Sequence, residues 1–350
     1  MAKKTIIKKK DLVLVTGANG FLGTQTVKRL LDRGFTNVRC LVRPTGKAEA
    51  LSKILDSYEE NQVEILKGNL LNPADCQSAT DGAALILHLA AGVDKSFPAA
   101  FMNSVVSTKN LLEAARDYGS LKRLVNVSSF AVYSNIHIPR GAMLDEECEV
   151  DQHPEVRGEA YTYGKLKQDQ FVEEFCASHQ IPYVIVRPSV IYGPGKKFIP
   201  SRIGIDTFGF FMTIGGGIQQ PLTYVENCAD AVVLAGIVPG VEGEVFNVVD
   251  DDLPTGREFL SLYKKNVKRF FSLYVPYRLF YFLSFLWEKY STWSKGQLPP
   301  VFNRRKCATY WKGNVYSNSK IKEMLGWEPI VPFEEALNKY WAFQKTPEEG

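Results

Sequence analysis

The segment TGANGFLG, Thr16 to Gly23, follows directly on the apolar run Leu12–Thr16 and leads into the amphipathic stretch Thr24–Arg33. Strand, glycine turn and helix in that order constrain the fold more than any other feature of the chain. Glycines at 17, 20 and 23 permit a tight turn, a close approach of backbone to a pyrophosphate, and close packing of helix on strand. The helix N-terminus then faces the phosphates. A bare structural turn would use the same glycines, but their place between a strand and a helix favours dinucleotide binding.

Short β-branched runs continue to alternate with helical stretches. Candidate strands are Leu12–Thr16, Val38–Val42, Val63–Leu66, Ala84–Leu89, Arg123–Val127, Tyr183–Arg187 and Glu244–Val248; candidate helices include Thr24–Arg33, Ala99–Tyr118 and Ala160–His179. Near-continuous apolar strands between helices imply an α/β fold, a Rossmann-type doubly wound parallel sheet with helices on both faces. After about Gly193 the texture turns to glycine, proline and aromatic residues in irregular order. We therefore divide the chain into a frayed basic tail over 1–10, a dinucleotide-binding domain over 11–192 rejoined by the strand 244–248, and a smaller, mostly substrate-binding C-terminal lobe over 193–345.

The 350 residues are 45% hydrophobic and 23% charged, with a net charge of +4, as in an ordinary soluble globular protein. No second basic stripe supports nucleic-acid binding. Six scattered cysteines without a Cys-x-x-Cys read as reduced, mostly buried thiols in a cytoplasmic protein. The acidic run Asp145–His153 matches no metal-ligand spacing and reads as a solvated loop, so no metal is expected. Phe270–Trp293 is unusually aromatic, yet its longest stretch without a charge, Leu279–Trp287, is too short to span a bilayer. It reads as a helix whose apolar face closes over the active site, or, more sharply, as a peripheral membrane contact or a greasy substrate entrance.

The second strand ends Cys40-Leu41-Val42-Arg43-Pro44, with Lys47 nearby and no carboxylate at its tip. NAD sites usually place an acid there for the ribose 2′-hydroxyl, whereas an arginine accommodates a 2′-phosphate. The reading is NADP(H) rather than NAD(H). Stacking of Arg43 on adenine is the alternative, and would suit either cofactor.

Tyr–x–x–x–Lys places a phenol and an ammonium on one helix face, where the cation favours the phenolate and so acid–base chemistry. Five pairs match: Tyr161/Lys165, Tyr118/Lys122, Tyr163/Lys167, Tyr192/Lys196 and Tyr316/Lys320. The spacing alone does not choose among them.

TGANGFLG, HLAAG (88–92), NVSSFAVY (126–133), YTYGK (161–165) and RPSVIYGPG (187–195) follow in order. The series resembles the extended short-chain dehydrogenase/reductases over nearly the whole chain. That resemblance singles out Tyr161 and Lys165, because Gly164 fills the family's small-residue slot before the lysine. It assigns Ser129, with Ser128 as runner-up, to the serine of the family's fifth strand. It implies that Ser129 and Tyr161 bond the reacting oxygen, while Lys165 bonds the nicotinamide ribose and holds Tyr161 nearer its phenolate. It further implies cofactor contacts at Gly17, Asn19, Gly20, Phe21, Leu22, Gly23, Arg43, Lys47, Asn69, Leu70, Leu89, Ala90, Ala91, Lys165, Pro188, Ser189 and Val190, with the backbone at 188–190 orienting the nicotinamide. Two departures stand out. Asn69 replaces an aspartate and would accept through its amide oxygen, and Ser104 replaces a relay asparagine.

Two branches compete on the substrate side. The nucleotide-sugar epimerases and dehydratases place a pyrophosphate-clamping arginine where this chain has Gln220, and an aspartate where it has Asn227; Arg202 or Arg257 would have to substitute. The chain more closely resembles the 3β-hydroxysteroid dehydrogenase/isomerase-like branch, through YVENCADA, EVFNVVDDDLP, the aromatic segment and PPVFNR (299–304). It implies a secondary alcohol/ketone oxidoreductase acting on a sterol-like or long-chain small molecule, and family habit implies a homodimer. A non-catalytic dinucleotide-binding regulator is the reading from another class, opposed by the complete Ser129/Tyr161/Lys165 set.

Overall fold

The structure, a computed structural model, describes residues 5–46, 48–58, 62–92, 96–207, 209–295, 297 and 302–346. Seven strands form one sheet: β1 (Val13–Thr16), β2 (Val38–Val42), β3 (Val63–Lys67), β4 (Leu85–His88), β5 (Arg123–Val127), β6 (Tyr183–Pro188) and β7 (Val245–Val248). Their spatial order is β3-β2-β1-β4-β5-β6-β7, and every adjacent pair is parallel. Each candidate strand is present, with its ends shifted by at most one residue. β1 and β4 are buried at every position because helices cover both faces, which is why they read as continuous apolar runs. The edge strand β3 instead exposes Glu64 and Lys67, charges that discourage pairing with another chain.

Chain order reverses between β1 and β4, and such a reversal opens a crevice at the carboxyl ends of the strands. Helix α1 (Phe21–Asp32) leaves the glycine turn beside it. The expected helix Ala99–Tyr118 is interrupted. Phe97–Phe101 is α-helical, Met102–Val106 forms a π-type turn, and α2 runs Ser107–Tyr118. Helix α3 (Ala160–His179) presses against that turn at Gly164, where an added Cβ would lie 3.0 Å from Ser104 Oγ and 3.1 Å from the Ala100 carbonyl oxygen. The small-residue slot before Lys165 therefore has a packing cause.

Part of the chain beyond 192 packs on the first half. Helix α4 (Val225–Ile237), which carries the YVENCADA motif, packs between α1 and the sheet with all residues but Glu226 buried. Arg29 of α1 and Arg33 just beyond its end grip Asp230 of α4 at 2.5 and 2.6 Å. Asn227 of α4 donates to the Val331 carbonyl and accepts from the Val331 N–H, stapling the C-terminal segment onto this half. The basic tail also needs correction. Ile6 N–H donates to the Ile237 carbonyl, Ile7 is 2% exposed within the core, and Lys9 lies over the Phe35 ring. Two isoleucines among the lysines are enough to anchor residues 5–10.

The chain beyond 192 also forms a three-stranded sheet (Gly204–Thr207, Phe210–Ile214, Ser272–Val275), helix α5 (Tyr277–Trp293) and helix α6 (Arg304–Trp311) packed on α5. Here the expected orientation of the aromatic helix fails. α5 buries Phe280, Ser284 and Ser291, and turns Leu279, Phe282, Leu283, Leu286, Tyr290 and Trp293 to solvent. Among the described residues no helix is long and apolar enough to cross a membrane. The acidic run is not a solvated loop either. Glu146 accepts the Asn247 N–H at 2.7 Å, and the buried Asp151 pairs with Arg305 at 3.2 Å. All six cysteines are free, and all but Cys148 are buried.

Candidate active site

A cleft at the switch point is lined by Gly17, Asn19, Gly20, Arg43, Asn69, Leu70, Leu89, Ala90 and Ala91 from the expected set. Leu41, Gly68, Leu71, Gly92, Asn103 and Ser107 join them. Asn103 and Ser107 come from the π-turn and the start of α2, a position that helical periodicity does not reveal. Gly17 has φ +69°, and a Cβ there would meet the Ala90 N at 3.0 Å; a Cβ on Gly23 would lie 2.1 Å from the Gly17 carbonyl oxygen. The turn thus folds back on itself and lies against the end of β4, a cradle that side chains would fill.

The remaining expected contacts are arranged differently. Phe21 and Leu22 open the first turn of α1, where backbone N–H groups lack intrahelical partners. Their side chains turn elsewhere, Phe21 under Lys196 and Leu22 into the core. Lys47 lies outside the described residues. Asn69 Oδ1 already accepts the Leu71 N–H at 3.1 Å, so an adenine would have to use its second lone pair. At the end of β6 the Ser189 N–H donates to the Val248 carbonyl and the Val190 N–H to the Pro221 carbonyl. Both backbone donors are used within the fold. Ser189 Oγ, by contrast, is buried without a partner. Glycine cradle, Arg43 at the end of β2 and an orphaned hydroxyl at the end of β6 together fit an extended dinucleotide.

Beyond β5, Ser129 and Ser128 take opposite directions. Ser128 Oγ donates to Asp169 at 2.7 Å. The Ser129 hydroxyl hydrogen-bonds the Tyr161 phenol and also accepts the Ala131 N–H at 3.1 Å. Burial pushes the Tyr161 phenol above its ordinary value, the Ser129 bond opposes this, and the Asp169 charge adds to it. The direction is opposite to the expected approach to phenolate. Lys165 Nζ donates to the Val127 carbonyl at 2.6 Å and to Gln168 Oε1 at 2.9 Å, and burial brings the ammonium down to about 8.

Lys165 anchors a buried polar chain. Gln168 Nε2 donates to Thr108 Oγ1 at 2.8 Å, Thr108 Oγ1 meets His88 Nε2 at 2.9 Å, and His88 Nδ1 meets Thr16 Oγ1 at 2.7 Å. Burial and then the nearby Lys165 charge hold His88 down to about 3, so it stays neutral. Thr16 Oγ1 in turn accepts from Ala90 N, on the wall of the cleft. Ser104, in the slot of the missing asparagine, contributes its carbonyl to Thr108.

The competing Tyr–Lys pairs have other work. Tyr163 packs edge-on against Phe97 and Lys167 bonds Gln170. Tyr192 lies among Tyr224 and Tyr340, while Tyr316 stacks on Phe130 and Lys320 pairs with Glu244. Tyr118 is exposed at the end of α2, and Lys122 pairs with Asp11. On the substrate side, Gln220 is buried and donates to the Ile218 carbonyl. Arg202 is buried, donates to the Thr309 carbonyl and stacks on Tyr310, whereas Arg257 lies over the Tyr274 ring.

Sheet order, switch-point cleft and glycine cradle define a Rossmann-type dinucleotide-binding fold. A family model described as the NAD dependent epimerase/dehydratase family matches residues 13–248, and the chain belongs to that family. It is an enzyme, a nicotinamide-dependent oxidoreductase of the extended short-chain dehydrogenase/reductase type. Over 347 residues it is 25% identical to the mouse (Mus musculus) sterol-4-alpha-carboxylate 3-dehydrogenase, decarboxylating, covering 95% of this chain and 91% of that one. It is 31% identical to cinnamoyl-CoA reductase 1 of Oryza sativa subsp. japonica over 191 residues, 53% of this chain and 54% of the reductase. In fold it is similar to the Bacillus cereus UDP-glucuronic acid 4-epimerase solved with UDP-glucuronic acid and NAD, with a TM-score of 0.70, 20% identity, and coverage of 95% and 99%.

Proposed function

We propose that the protein is an NADP(H)-dependent oxidoreductase that interconverts a secondary alcohol and a ketone on a hydrophobic, sterol-like or long-chain substrate. The bound nicotinamide supplies or accepts the hydride. Tyr161 acts as the acid/base. Its raised pKa keeps the phenol protonated at neutral pH, able to donate to a carbonyl oxygen. The Ser129 hydroxyl holds that phenol and bonds the same oxygen. Lys165 uses two of its three N–H donors on Val127 and Gln168, and the third is the one a ribose hydroxyl takes. Arg43 meets the 2′-phosphate at the end of β2.

One observation carries the choice of substrate. The arginine slot of the sugar-nucleotide enzymes holds Gln220, a buried neutral amide, and of the two arginines able to replace it Arg202 is buried and bonded to the Thr309 carbonyl while Arg257 lies over the Tyr274 ring. A pyrophosphate favours a bidentate guanidinium. The near full-length likeness to a sterol 3-dehydrogenase supports the same reading.

A thermal-shift panel tests this. NADPH should stabilise the protein at lower concentrations than NADH. Arg43→Ala should weaken NADPH about 10–100-fold, the worth of a charge-assisted bond, and leave NADH unchanged. With NADP+ present, steroids or acyl ketones should raise the melting temperature further, by mass action. Stabilisation by UDP or dTDP instead, or a strong NADH preference, overturns the proposal.

A further inference from the structure

Helix α5 is amphipathic in the wrong direction for a globular surface. Leu279, Phe282, Leu283, Leu286, Tyr290 and Trp293 recur at helical spacing on one side, and that side faces solvent, with Phe282 54% and Trp293 77% exposed. The buried side carries Phe280, Ser284 and Ser291, so most of the large apolar side chains of the helix lie on the outward side. The chain just before the helix also exposes Phe271 (72%), Leu273 and Tyr274. Monomeric proteins rarely leave a continuous apolar patch of this kind uncovered.

Charge is segregated onto the same part of the chain. Residues 264–312 hold eleven Lys and Arg against one acid, Glu288, which is bonded by Arg304 at 2.8 Å. The rest of the chain holds 31 Lys and Arg against 37 Asp and Glu. The small net charge of +4 therefore hides a strongly basic segment on an acidic body, which corrects the expectation that no second basic stripe follows the N-terminal one. Lys265, Lys268, Arg269, Arg278, Lys289 and Lys295 of that segment are exposed.

We propose that the outward face of α5 docks on an anionic lipid bilayer, the helix lying in the interface plane with its apolar stripe among the acyl chains and the surrounding cations on the headgroups. Tyr and Trp favour that depth, because each joins a polar tip to an apolar body. Basic residues near the surface add attraction to anionic lipid. A second copy of this chain suits the face less well, since a two-fold contact would set one basic segment against the other. The docking does not depend on the reaction assigned above.

Co-sedimentation of the full chain with vesicles of phosphatidylcholine, alone or mixed with phosphatidylglycerol, decides the matter. Binding should appear on the mixed vesicles and fall at least about tenfold on pure phosphatidylcholine or at high salt. The triple substitution Phe282→Ser, Leu286→Ser, Trp293→Ser and the double substitution Lys289→Glu, Lys295→Glu should each weaken it at least about tenfold, with melting temperature retained because these side chains are exposed. Brominated acyl chains should quench tryptophan fluorescence in the parent and much less in the triple variant. Absence of binding to the mixed vesicles overturns the proposal, as does equal binding by the triple variant. A dimer that the triple substitution dissociates, without vesicle binding, overturns it in favour of a second copy.

Discussion

Tyr161→Phe should reduce turnover by about 10²–10⁴-fold, the usual contribution of a positioned acid or base, while fold and dinucleotide binding survive. The ring stays, so the packing at the start of α3 is preserved; only the hydroxyl bonded to Ser129 is lost. In the oxidation direction the phenol must first be deprotonated. Its raised pKa then makes the rate climb with pH through a limb that Tyr161→Phe removes. Steady-state kinetics in both directions, with thermal shift by NADPH as the folding control, provide the measurement. Unchanged activity would remove Tyr161 from the mechanism.

Asp169→Ala should cost about 3–5 kcal/mol of stability, the expected penalty for stranding a buried partner charge. Asp169 is 2% exposed and joins α3 to the end of β5 and to β6. It accepts from Asn126 Nδ2 at 2.9 Å, from Ser128 Oγ at 2.7 Å and from Arg187 at 3.4 Å. Arg187 is itself 5% exposed, bonded to Tyr133 OH and stacked on its ring. Removing the carboxylate leaves that guanidinium and two further donors without their acceptor, beneath the helix that presents Tyr161 and Lys165. Urea unfolding checks the size, and a loss below about 1 kcal/mol would mean that the pair adds little at its 3.4 Å separation.

How legible these features were depended on what each residue faces. β1, β4 and β5 read correctly because burial on both faces leaves an unbroken apolar run, and that pattern has few other causes. The turn at 16–23 was equally plain, since crowding of Gly23 on the Gly17 carbonyl admits no side chain. Ser128 and Ser129 are chemically identical neighbours; only the direction of each hydroxyl separates a bond to Asp169 from a bond to Tyr161. The effect of Lys165 on Tyr161 is hidden from the sequence for a similar reason. Spacing puts both on one helix face, but burial and the carbonyl acceptor of Val127 decide where the ammonium points. Periodicity found an apolar stripe on α5 without telling which side faces the core, so solvent exposure reversed the reading. Ile7 was hidden by the lysines around it, although one buried side chain outweighs several solvated ones in deciding whether a terminus docks.

The proposed function is hydride transfer between NADPH and the carbonyl carbon of a hydrophobic ketone, with Tyr161 supplying the proton. It is tested most directly with NADPH carrying deuterium at both C4 positions of the nicotinamide, incubated with a sterol or long-chain ketone and analysed by mass spectrometry. One deuterium should appear on the carbinol carbon of the product with the parent protein, and almost none in the same time with Tyr161→Phe. No label in any hydrophobic ketone, together with conversion of a UDP-sugar by the same protein, would contradict the account.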